Sequence, residues 1–180
     1  MSRTRSKSGP RLPSPFGRRR SHVEFEVTPA TLTTLGLGAI AGLRSMSAPA
    51  LLARSVRRGD LEAPDLPVLG SPKISGLLAL LAVGEMIADK MPFIPSRTSA
   101  PSLLGRLLSG ALVGATLFTS EGRHGNSGAI LGALAALAAA YAGEGLRSAG
   151  VRKGIPDPIL ATLEDRLVLT LGTRLLPKKS

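Results

Sequence analysis

Residues 125–143 carry no charged side chain, and this stretch constrains the fold more than any other feature of the chain. About 20 apolar residues in a helix cross the ~30 Å hydrocarbon core of a bilayer. A surface helix of a soluble protein needs a polar stripe, and residues 127–143 offer none. The stretch therefore predicts a membrane-embedded helix. Composition agrees: 43% of residues are hydrophobic but only 3% aromatic, so Ala, Leu, Val and Ile supply the apolar mass, threaded with 21 Gly. A soluble helical bundle is the competing reading, because the other apolar segments are shorter or interrupted. The 180 residues suffice for one compact domain.

Five segments have helical character. The first, 30–53, is interrupted by Arg44 and Pro49. The second, 73–91, ends in Glu85, Asp89 and Lys90, and Pro92 and Pro95 stop it. The third, 103–119, has Arg106 near its start. The fourth is 126–147, and the fifth, 158–176, carries Glu164, Asp165, Arg166 and Arg174. Thr28-Pro29, Ser71-Pro72 and Asp157-Pro158 each place a capping oxygen before a proline suited to the first helical position. Residues 57–70, including Gly59, are polar and Pro-containing, hence a loop. The expected fold is all-α: an integral membrane bundle of four to five Gly/Ala-rich helices over residues 30–176. A disordered basic arm, 1–29, precedes it, and a short basic tail, 177–180, follows.

The arm holds seven Lys/Arg between Met1 and Arg20, with no acid and many Ser, Pro and Gly. Such a segment cannot bury enough apolar surface to offset chain ordering. Because apolar segments follow at once, its basic residues read as a topology signal that keeps the N-terminus cytoplasmic. Ala48-Pro49-Ala50 only faintly mimics a signal-peptide cleavage site. Five full spans would place 12 loop Lys/Arg inside and 8 outside, with Arg44, Arg106 and Arg166 inside the membrane. If the first segment instead dips in and returns near Ser45 to Pro49, four spans place 15 inside and 5 outside. The second count obeys the positive-inside rule better.

Three glycine pairs have four-residue spacing: Gly38/Gly42, Gly110/Gly114 and Gly128/Gly132. Residues four apart share one helix face, and a face without Cβ atoms lets another backbone approach closely. The strings around Gly110 and Gly128 are near-identical, 18 residues apart, which predicts a packed helical hairpin turning at residues 121–125. Weaker echoes, Gly42-Leu43-Arg44-Ser45 with Gly145-Leu146-Arg147-Ser148, raise the idea of an internal duplication.

Charges in apolar surroundings are the candidate functional residues. A bare charge at bilayer depth costs roughly 2.5 kcal/mol or more, so such groups pair or line water. Arg44 lies between charge-free runs, and Glu85 and Asp89 share one helix face. Arg44 is therefore expected to pair with Glu85 or Asp89, and Lys90, Arg106, Glu164, Asp165 and Arg166 complete the candidate polar pathway. Glu144 and Arg147, three apart, read as a helix-end ion pair.

Most enzyme classes find no support. Cys is absent and there are two His, which removes thiol chemistry, thiolate metal sites and histidine-rich centres. No metal or cofactor is expected. One Tyr, four Phe and no Trp make no stacking platform for nucleic acid. The expected partners are the lipid bilayer, anionic headgroups along the basic arm, and a second copy of the chain. The function classes left are a transporter, channel or permease component, then a structural or interaction protein, and third a lipid-modifying enzyme.

Gly42-Leu43-Arg44, the string from Glu85 through Asp89-Lys90 to Pro92, and Gly105-Arg106 with Gly110-Ala111 resemble the pattern of a bacterial membrane family. That family is catalogued as domain of unknown function 4126, and the likeness covers roughly residues 33–175. The resemblance implies a multi-helix inner-membrane protein and offers no activity or substrate.

Overall fold

A computed structural model describes residues 28–88 and 99–176 of the chain. Residues 1–27 of the basic arm, Asp89, Lys90, Pro92, Pro95 and the basic tail lie outside the described residues, while Thr28 and Pro29, assigned to the arm by sequence, belong to the start of α1. The described chain is all-helical: α1 (Pro29–Leu43), α2 (Ser47–Arg58), a 3-10 turn (Pro67–Gly70), α3 (Pro72–Ala88), α4 (Ala100–Ser120), α5 (Gly125–Arg152) and α6 (Asp157–Leu175). Thr28 caps α1 as its sequence suggests, its hydroxyl accepting from the Thr31 N–H at 3.3 Å.

The first apolar segment is not one helix. It breaks at Arg44, whose backbone is extended, and resumes at Ser47. The chain also reverses there. Asp60, Leu61 and Glu62, just beyond α2, line the same cavity as Pro29, Ala30 and Thr33 at the start of α1. Helices α1 and α2 therefore form a hairpin with its tip at residues 44–46. Gly59 ends α2 in the left-handed region, φ 75°, so this loop glycine is a required C-cap.

The remaining helices alternate around the hairpin. A side chain at Gly36 would meet Leu175, and one at Gly172 would meet Ile40 and Leu51, so α6 runs antiparallel to α1. Leu175 and Leu176 line the cavity shared by the start of α1. Both ends of the described chain thus lie at one end of the bundle. Helices α4 and α5 form the hairpin that the glycine strings predict, Gly110 facing Gly132 and Gly114 facing Gly128. Helix α1 lies in their groove, with Gly38 against Gly132 and Gly42 against Ala136. Around this three-helix contact sits a core of Leu37, Ile40, Ala41, Leu52, Val113 and Leu117.

Many large apolar side chains are exposed along the helices. Leu77, Leu80, Leu81, Val83 and Ile87 of α3 are exposed, as are Leu108, Ile130, Leu134 and Leu146 of α4 and α5. Arg44, Arg106 and Asp165 are buried instead. Three buried charges beside so many exposed leucines depart from the soluble pattern. Helices α4 and α5 are each long and apolar enough to cross a membrane.

Candidate functional site at the helix reversal

A helix that stops inside an apolar bundle leaves its last carbonyls without partners, and one that starts there leaves its first N–H groups bare. The reversal at residues 44–46 creates both ends at once. Each is met by a charge of the appropriate sign, borne by a different helix.

Arg106, on α4, closes the end of α1: its guanidinium donates to the Gly42 carbonyl and, at 2.7 Å, to the Leu43 carbonyl. Glu85, on α3, closes the start of α2. Its Oε1 accepts from the Ser45 N–H at 2.8 Å and the Ser45 hydroxyl at 3.0 Å, and its Oε2 accepts from the Met46 N–H at 2.8 Å. A cation at a helix C-terminus and an anion at an N-terminus also complement the two helix dipoles. Arg44 occupies the tip itself and is fully buried. Its guanidinium lies 2.7 Å from Asp165 Oδ1, on α6.

This corrects the pairing expected from sequence. Arg44 takes Asp165, not Glu85, because Glu85 is committed to the backbone of Ser45 and Met46. The second expected partner, Asp89, lies outside the described residues, with Lys90. Of the other candidates, Arg106 and Asp165 join the reversal. Glu164 instead lines a cavity between α5 and α6 with Arg147 and Leu163. Arg166 is exposed, against Pro158 and Thr162 at the start of α6. Among the described residues there is no group of acids and histidines that could hold a metal ion.

Two further ties join residues that no sequence spacing pairs. The turn between α4 and α5 braces the start of α1: Glu121 accepts from the Ala30 N–H at 3.1 Å, and Arg123 donates to the hydroxyls of Thr28 and Thr31 at 2.7 and 3.1 Å. Arg123 also lies over the Phe118 ring, 4.1 Å from its centroid. At the other end of the bundle Arg147 pairs bidentately with Asp157, at 2.5 and 2.6 Å, tying α5 to α6. The helix-end partner expected for Arg147, Glu144, is not its acceptor in that contact. The echo between Gly42–Ser45 and Gly145–Ser148 has no structural counterpart, since the first string forms the reversal and the second lies within continuous α5.

The geometry makes Glu85 a cap whose charge matters. In Glu85→Gln one acceptor oxygen remains for three donors, so an N–H at the reversal is left bare. The expected cost is about 1–3 kcal/mol, read as a lowered unfolding temperature in detergent. Unchanged stability would show that water satisfies the start of α2.

Fold and site together define an all-helical protein built around a self-capped helix reversal, with many leucines exposed on its helices. The chain belongs to the family described as Domain of unknown function (DUF4126), whose model matches residues 31–176. No curated protein and no solved structure matches it.

Proposed function

We propose that the chain is a multi-pass inner-membrane protein in which α3 to α6 cross the bilayer and α1–α2 is a re-entrant hairpin. Both termini then lie on the cytoplasmic face, and the reversal forms the selective point of a pathway for a small ion or polar solute. The observation that carries this reading is the broken helix, its two ends held by Arg106 and Glu85. Non-helical backbone at membrane depth is tolerated where protein or a water-filled cavity surrounds it, and discontinuous helices with paired charges mark ion and substrate sites.

Depth supports the assignment. Helix α5 has 28 residues, about 42 Å at 1.5 Å per residue. Gly42, next to the tip, meets α5 at Ala136, about 17 Å from the start of that helix. The reversal therefore stands near the middle of a bilayer that α5 crosses. The four-span count, with 15 Lys/Arg on the cytoplasmic side and 5 opposite, follows from the same arrangement. One observation favours the second reading, a structural or interaction protein: Arg44 has no exposed surface.

Two measurements test these statements. The protein should stay in the membrane pellet through high-salt and carbonate washing, and a reporter fused after Ser180 should be cytoplasmic. Release by carbonate would eliminate the membrane reading, and an external reporter would require an odd number of crossings. Flux of ions and small solutes into liposomes carrying the purified protein tests transport. Absence of flux across cations, anions and neutral solutes would leave the structural reading.

A further inference from the structure

Between α2 and α3 runs a cavity of about 450 Å³, floored by Leu169 of α6. Its walls are apolar or small along most of their length, with Leu51, Gly76, Ala79 and Val83 among them. Its two ends differ. Ser47 and Met86 line the end beside the reversal, whereas Arg54 and Arg57 line the end beside the loop that leads to α3. Both arginines are solvent-exposed, and among the described residues neither has a hydrogen-bonding or ion-pair partner.

We propose that this groove holds one molecule of anionic phospholipid, its phosphate at Arg54 and Arg57 and an acyl chain laid along α3 towards Met86. The inference rests on the membrane reading above and adds a ligand to it. Length and charge carry it. From Ser47 to Arg57 the helix rises about 15 Å, the thickness of one leaflet's hydrocarbon. The two arginines stand at the end of the bundle that holds Pro29 and Leu175, the cytoplasmic end, where anionic lipid is concentrated. Basic side chains beside an apolar slot at that level complement a phosphate on a chain. The wall on the α3 side contributes to the same end, because Gly76 and Ala79 carry little or no side chain into the groove.

Native mass spectrometry of the full chain in neutral detergent, with equal amounts of phosphatidylglycerol and phosphatidylcholine added, tests this. One phosphatidylglycerol should be retained preferentially. Replacing both arginines, Arg54→Gln with Arg57→Gln, should reduce that preference about thirty-fold, the factor two basic contacts are worth at an anionic surface. Gly76→Phe keeps every charge and fills the groove, and a Cβ there meets nothing within 4 Å, so the fold should tolerate it. It should abolish retention. Replacing Arg18, Arg19 and Arg20 by Gln should change nothing. Retention that survives Gly76→Phe, equal retention of both lipids, loss on removing the arm arginines, or displacement by glycerophosphate alone would each overturn the groove. Release of the protein by carbonate would overturn the membrane reading with it, whereas an integral protein that still binds lipid as Gly76→Phe overturns the groove only.

Discussion

Arg44→Leu should scarcely accumulate as folded protein, Asp165→Leu should fail similarly, and the double apolar variant should recover most of the loss. The guanidinium of Arg44 cannot shed its charge and has no exposed surface. Asp165, 2.7 Å away, is itself buried. Removing either partner strands the other in apolar surroundings, at a cost of about 3–5 kcal/mol by analogy with buried pairs in soluble proteins. Removing both leaves no stranded charge, and replacing a buried pair by apolar side chains of similar volume is often neutral. Unfolding in detergent, followed for the two single variants and the double, gives the coupling directly. Additive losses would show that the two residues are not partners in the folded protein. The rescued variant also separates the two functional readings. A transport protein would remain without flux, because the charge at the tip of the hairpin would be gone. A scaffold would keep its assembly.

The sequence displays the parts of this site more clearly than their pairing. Arg44 and Arg106 stand out because charge is rare in their surroundings, whereas Glu85 and Asp165 belong to charged clusters with Asp89-Lys90 and with Glu164 and Arg166. Which acid meets which base depends on how helices alternate in space. Glu85 is closer to Arg44 in the chain than Asp165 is and lies in the next apolar segment, which favours that pair, but the reversal creates bare N–H groups at Ser45 and Met46 that claim the carboxylate first. Asp165 wins Arg44 only because α6 returns antiparallel to α1, a fact of topology that spacing does not encode. The break itself is half legible. Arg44 and Pro49 interrupt the apolar run and the positive-inside count favours a return, yet Pro49 falls within the first turn of α2 rather than at the break. The brace from Glu121 and Arg123 to the start of α1 leaves no pattern in sequence at all. It connects residues about ninety positions apart through two hydroxyls and one N–H.

Gly114→Leu should lower stability by about 3 kcal/mol or more, while Gly105→Leu in the same helix should hold or gain up to about 1 kcal/mol. The opposite signs follow from what each position faces. A Cβ at Gly114 would collide with the Gly128 backbone carbonyl, and the reciprocal Cβ at Gly128 would collide with that of Gly114. Backbone cannot rotate away as a long side chain can, so α4 and α5 must separate and lose dispersion contacts along the whole interface. In the membrane setting proposed above, no hydrophobic effect would compensate by drawing the helices back together. At Gly105 an added Cβ meets nothing within 4 Å, and only the better helix propensity of leucine is felt. Gly59 cannot serve as the neutral control that its polar loop suggests, because its φ of 75° strains any other residue. Gly42→Leu extends the test to the reversal. Gly42 meets the backbone of Ala136 on α5, and its own carbonyl accepts from Arg106 on α4. Moving it outwards should therefore break packing and cap together, at a cost exceeding that of Gly114→Leu. Equal unfolding temperatures for the Gly105, Gly114 and Gly42 variants would refute close backbone packing as the force that holds the hairpin tip in place.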